Sequence, residues 1–177
     1  MEPAVPHTRR KLREARFFFD RLRDRASDLR LDADEVGFYL SAFLSAARSV
    51  TLVLQVEEKE FYDAWYDSWL ANLSPADQGV FKFMNAQRVL EVHLTGADVT
   101  STMEFRPVTQ VERGTGGQPG YKVYWSGPPG TPPPEIGLPV HQFRVGDDLV
   151  DVGGACRRYL SILEQLVRDF TQTVSAP

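Results

Sequence analysis

Val36–Val56 reads VGFYLSAFLSAARSVTLVLQV, and the organisation of the whole chain turns on whether these residues cross a membrane or sit inside a protein. A run of about 20 apolar residues is long enough to span a bilayer. Arg48 near its centre argues against that, since a central arginine costs about 2.5–3.5 kcal/mol on insertion scales. Ser41, Ser45, Ser49 and Gln55 dilute the apolarity further. We therefore expect no membrane contact, but a helix apolar around most of its circumference, which belongs in the centre of a bundle. Asp32 or Asp34 can cap it, with Glu35 near its positive end. Ser41, Ser45 and Ser49 recur every fourth position, as do Ala42 and Ala46, so two small faces let another helix approach closely. That neighbour belongs to the same chain or to a second copy. Arg48 needs either a core ion-pair partner or a phosphate, because an unpaired buried charge is too costly.

Working outward, Thr8–Arg30 carries Leu12, Ala15, Phe18, Phe19, Leu22, Ala26 and Leu29 at helical spacing. The first thirty residues hold nine Arg/Lys and five Asp/Glu. Such a helix either offers a basic face to phosphates or an acidic partner, or pairs its arginines with Glu14, Asp20, Asp24 and Asp28 along a solvated face. Glu57–Leu73 places Phe61, Tyr62, Trp65, Tyr66, Trp69 and Leu70 on one broad face, read as core or dimer contact. Ser74-Pro75-Ala76-Asp77 has the order of a helix start, and a fourth helix runs to about Leu94, with Gly96 ending it.

The pattern then changes. Val99–Phe105, Tyr121–Trp125 and Leu138–Val145 favour strands, and the Gly/Pro-rich stretch between Gly114 and Pro134 holds their turns. Asp147 or Asp148 caps a last helix whose Leu149, Val152, Cys156, Tyr159, Leu163, Leu166 and Phe170 follow a 3-4 spacing. The expected fold is mainly α, an antiparallel bundle of about five helices. A small antiparallel β insertion, residues 97–146, separates the fourth helix from the last within one domain, 1–177.

Composition narrows the function classes. A net charge of −4 over 177 residues gives no global attraction to nucleic acid or anionic lipid, so only a local basic patch can supply it. One cysteine and three histidines provide neither an internal disulfide nor a repeated zinc spacing, so no metal and no cofactor are expected. No apolar run follows the basic start as a signal-peptide core would, and a reduced, cytoplasmic protein is expected.

One spacing carries chemistry. On the fourth helix Arg88 is followed, after four residues, by His93. Histidine can take the proton of a ribose 2′-hydroxyl, and the arginine fork can stabilise charge gathering on the scissile phosphate. Together they can cleave RNA without metal, to a 2′,3′-cyclic phosphate and a 5′-hydroxyl. Here the chain resembles the HEPN superfamily, small helical bundles with an Arg, four to six residues and a His near the end of a late helix. Phe38–Gln55 is also similar to the central helix of bacterial HEPN-like proteins, and the resemblance covers roughly 9–96 and 147–174. It implies a metal-independent endoribonuclease of toxin or defence type, with Arg88 stabilising the phosphate and His93 as general base. It also implies a homodimer with an RNA substrate, kept in check by an antitoxin or other protein partner. Active members carry a polar residue directly after the arginine. Here that residue is Val89, with Asn85 one turn earlier as its replacement; Asn85 and Arg48 are the expected substrate-binding residues. Five residues along a helix put the Arg88 and His93 side chains roughly 140° apart, so a dimer cleft would be needed to converge them. The alternatives stay open: Arg88 pairs with Glu91 or Asp77, His93 serves the negative end of its helix, and the chain is a non-catalytic HEPN-like dimeric binding or interaction module.

Overall fold

The computed structural model describes residues 5–26, 33–93, 99–107, 111–112, 122–123, 132, 134–145 and 148–175. Helices α1 (Pro6–Ala26), α2 (Ala33–Glu57), α3 (Lys59–Asn72) and α4 (Pro75–His93) come first. Strands β1 (Val99–Pro107), β2 (Val111–Glu112), β3 (Lys122–Val123), β4 (Glu135–Val145) and β5 (Asp148–Asp151) follow, and α5 (Val152–Val174) closes the chain. The fold is mainly α with a small antiparallel β insertion between the fourth and last helices.

Helix α2 is the element the others pack around. Val36, Leu40, Phe43, Leu44, Ala47, Val50 and Leu54 are buried against α1, α4 and α5. By length and composition α2 is also long and apolar enough to cross a membrane. Its burial is not complete around the circumference: Phe38, Ser45, Leu52 and Val56 form an exposed stripe.

Glu57, the last residue of α2, sets the register of α1. Its carboxylate accepts the backbone N–H groups of His7 (2.8 Å) and Thr8 (2.9 Å) and the Thr8 hydroxyl. These are donors of the first turn of α1, which have no partner within the helix, and a negative charge is favoured at that end. The start of α1 is thereby pinned to the end of α2, making the pair antiparallel. The charges along α1 pair locally, Lys11 with Glu14 and Arg23 with Asp20 and Asp24, while Arg16 reaches Glu164 on α5. That is the solvated-face reading of the basic helix.

The aromatic stripe of α3 is core. Phe61 and Trp65 each meet Phe170 of α5 edge to face, Trp69 meets Phe81 of α4, and the Trp69 indole donates to Asp169 at 3.1 Å. Ser74 caps α4 as expected, accepting from Asp77 N–H at 3.1 Å. Arg158 of α5 bonds the Asp77 carboxylate at 2.7 Å and ties this end of α4 to α5.

Strands β1, β4 and β5 form one antiparallel sheet with β4 in the centre, and β2 pairs with β3 separately. Val99 lies opposite Phe143 and Ser101 opposite His141. Phe143 and His141 are buried, and the Phe143 ring packs on Phe83 of α4 at 5.3 Å. The His141 Nδ1 lies 2.8 Å from the Ser101 hydroxyl. Of the expected Tyr121–Trp125 strand, Lys122–Val123 is observed; Gly96 and most of Gly114–Pro134 lie outside the described residues.

The last helix starts later than its apolar spacing suggests. Asp147 lies outside the described residues, Asp148 opens β5, and Asp151 is the cap, its side chain accepting from Gly154 N–H. Leu149, expected on the apolar stripe, is 52% exposed on β5. Pairing with β4 outcompetes helix here, and Gly153 and Gly154 leave room for the Asp151 carboxylate. A Cβ on Gly154 would stand 2.9 Å from Asp151 Oδ2. The insertion consequently runs to Asp151 rather than residue 146.

Two titrations follow from this packing. Burial works to raise the Glu57 pKa, but the hydrogen bonds from Thr8 and His7 outweigh it and hold the carboxyl below its ordinary value. Its contribution is therefore present above the ordinary carboxylate range and lost as pH falls through the lowered value. Glu57→Ala should cost about 0.5–2 kcal/mol in urea unfolding at neutral pH, and the difference from wild type should shrink towards about pH 3. Burial lowers the His141 pKa, against the opposing charge of Asp151. Wild-type stability should fall as pH drops below about 6.5. Urea midpoints of His141→Gln across the same pH range should lack that slope.

Candidate functional site

Arg48, on the flank of α2, donates from Nη1 to Thr51 Oγ1 at 2.8 Å. Among the described residues no carboxylate pairs with it. The expected core ion pair is absent there, and the half-buried guanidinium instead acts on three tyrosine hydroxyls, those of Tyr62 and Tyr66 on α3 and Tyr159 on α5. Burial raises the pKa of all three, and the positive charge of Arg48 works against that rise. All three therefore keep their protons at neutral pH and serve as O–H donors.

Two relays orient these donors. The Tyr159 hydroxyl donates to Asn85 Oδ1 on α4 at 3.1 Å, which occupies the carbonyl of Asn85 and leaves its amide N–H groups as what it can offer. The Tyr62 and Tyr66 rings stack at 4.7 Å. After burial, the interaction between their hydroxyls raises Tyr62 and lowers Tyr66, the pattern of Tyr62 as donor and Tyr66 as acceptor. Tyr66 then has its own proton to give. The two residues expected to bind substrate, Arg48 and Asn85, thus belong to one polar cluster, bridged by Tyr159.

Arg88 lies one turn after Asn85 on the same side of α4, half-buried. Its Nε is buried and has no hydrogen-bond partner among the described residues. Asp77, one of the two acids the sequence offered it, is engaged by Arg158 and Ser74 instead. Beside it Gln87 is 5% exposed with Oε1 likewise unpartnered. His93 is the last residue of α4, but its side chain and that of Glu91 lie outside the described residues. The structure accordingly brings Arg48 and Asn85 together and leaves the meeting of Arg88 with His93 to be tested by experiment.

The tyrosines were missed as site residues because the aromatic spacing of α3 and the apolar stripe of α5 read as packing. The hydroxyl ends are what distinguish them, and only the side-by-side placement of four helices shows where those ends lie. Cys156 is fully buried, and burial pushes its thiol pKa up, so it has no part in this cluster. Among the described residues no three His, Cys, Asp or Glu side chains gather to hold a metal ion. An open cleft of about 560 Å³ at the α2–α3 elbow is lined by Glu57, Glu58, Lys59, Glu60, Phe61 and Ala64, and its acidic wall repels phosphate.

Comparison with protein-family models, with curated proteins and with solved structures finds no match in any of the three. The likeness to HEPN proteins therefore rests on the Arg88/His93 spacing and the helical arrangement alone.

Proposed function

We propose that this domain is a metal-independent endoribonuclease that binds the phosphate backbone of RNA through Arg88, Arg48 and Asn85. The observation that carries this reading is the presence of two half-buried guanidinium groups, Arg48 and Arg88, with no carboxylate paired to either among the described residues. A positive charge held in protein without a carboxylate is costly unless an anion or water meets it, and guanidinium is the side chain best matched to phosphate. In the reaction His93 takes the proton of a ribose 2′-hydroxyl, the freed oxygen attacks the adjacent phosphorus, and the bond to the 5′-oxygen breaks. Arg88 offsets the charge on the phosphate as it forms, and a 2′,3′-cyclic phosphate and a 5′-hydroxyl are released. The domain works as a cytoplasmic homodimer held in check by a protein partner.

The dimer is supported by α2. Phe38, Ser45 and Leu52 stand seven residues apart on its exposed stripe, with Phe38 73% and Val56 82% exposed. The stripe is symmetric about Ser45, so an antiparallel second copy would set Phe38 of one protomer on Leu52 of the other, with a small residue at the crossing. The same face also favours the second reading, a non-catalytic dimeric interaction module, in which Arg88 and His93 are dispensable.

Purified wild type should cleave single-stranded RNA to products ending in 2′,3′-cyclic phosphate. Replacement of His93 by Ala should slow cleavage by about 10²–10⁴-fold and Arg88→Ala by about 10²–10³-fold, both with unchanged circular dichroism. Cleavage by neither wild type nor variants would leave the interaction module as the better account. Light scattering should give a dimer mass for wild type and a monomer mass for Leu52→Glu.

A further inference from the structure

The Arg48 cluster has a composition that cleavage of an internal phosphodiester does not call for. It presents a guanidinium fork with one hydrogen bond among the described residues, to Thr51. The relay from Tyr159 ends on the amide N–H groups of Asn85, and Tyr66 lies beside Tyr62 with a proton of its own. The acceptors inside the cluster are already used, and what is left over are donors and one positive charge. These groups come from α2, α3, α4 and α5 and thus surround a point rather than lie in one plane. A planar carboxylate uses one fork, whereas a tetrahedral oxyanion can take donors from several directions.

We propose that Arg48, Tyr66 and Asn85, held in place by Tyr62 and Tyr159, form a seat for a phosphate monoester or inorganic phosphate. The inference shares Arg48 and Asn85 with the proposed RNA site and names the chemical group they hold. It rests on that reading for its biological use, but the seat itself requires neither His93 nor turnover. Tyr66 is a binding residue here, and Tyr62 and Tyr159 are positioning residues. The half-buried character of Arg48, Tyr66 and Asn85 leaves the seat in contact with solvent, while Tyr62 and Tyr159 are buried behind it.

The test is calorimetric titration of the full chain with inorganic phosphate, alongside thermal unfolding in phosphate and in sodium chloride of matched ionic strength. Wild type should bind phosphate and gain stability that chloride does not provide. Tyr66→Phe, which removes one hydroxyl and little volume, should weaken binding about tenfold. Arg48→Gln should abolish it, and Arg48→Lys, which keeps the charge without the fork, should restore only part. His93→Ala should bind as wild type does, so failure of the nuclease reading and failure of this one are separable. Titration with one short RNA carrying either a 5′-phosphate or a 5′-hydroxyl identifies the source. Preference for the phosphorylated end means an RNA terminus, and equal affinity for both with phosphate still bound means the free ion. Absence of phosphate binding by folded wild type, or binding undiminished in both folded Arg48→Gln and Tyr66→Phe, overturns the proposal.

Discussion

The burial of α2 is the constraint on which the rest depends. Each large apolar side chain it places in the interior is worth about 1.5–3 kcal/mol, and no single neighbour can cover Val36, Leu40, Phe43, Leu44, Val50 and Leu54 at once. Coverage takes α1 along one side and α4 and α5 along the others. Glu57 then locks the arrangement chemically, because the residue that ends α2 also satisfies the opening turn of α1. A single carboxylate at a helix junction thus converts a general hydrophobic preference into a particular register.

The same burial creates the candidate site. Arg48 sits on the flank of a helix whose other faces are committed to the core, so its guanidinium opens towards the neighbouring helices rather than into bulk water. Those helices meet it with hydroxyls and an amide rather than with acids. Tyr159 is buried yet sends its hydroxyl to Asn85, and the stacked Tyr62 and Tyr66 rings carry two further hydroxyls to the same region. A core that neutralised Arg48 with an aspartate would have been stable and chemically silent. The cluster keeps its charge, and its helices are braced by contacts such as Arg158 with Asp77 and Trp69 with Asp169. Rigid support of this kind is what a binding group needs to hold its geometry.

Reading elements one by one shows where local information was sufficient. The Ser74 cap was legible because its hydrogen bonds join residues three positions apart, within reach of any local reading. The aromatic face of α3 and the long α5 stripe were legible because helical periodicity reports burial directly. The start of α5 was not, because Asp147, Asp148 and Asp151 all offer a capping carboxylate. The choice of Asp151 was made by β5, which takes Asp148–Asp151 into a ladder with Val145–Gln142. Arg48 and Tyr66 were likewise ambiguous, since an arginine or a tyrosine on an apolar stripe gives no sign of what its polar end meets.

The sequence by itself determined the helical bundle, the β-rich insertion before the last helix, and the central position of α2, because these depend on periodicity and on caps only a few residues away. Tertiary structure alone decided that Glu57 caps α1, that Asp77 belongs to Arg158, and that Arg48, Tyr62, Tyr66, Asn85 and Tyr159 share one cluster. Each of those partnerships joins residues far apart in the chain. Polar groups choose partners by distance and direction in the folded state, which no pattern along the chain encodes.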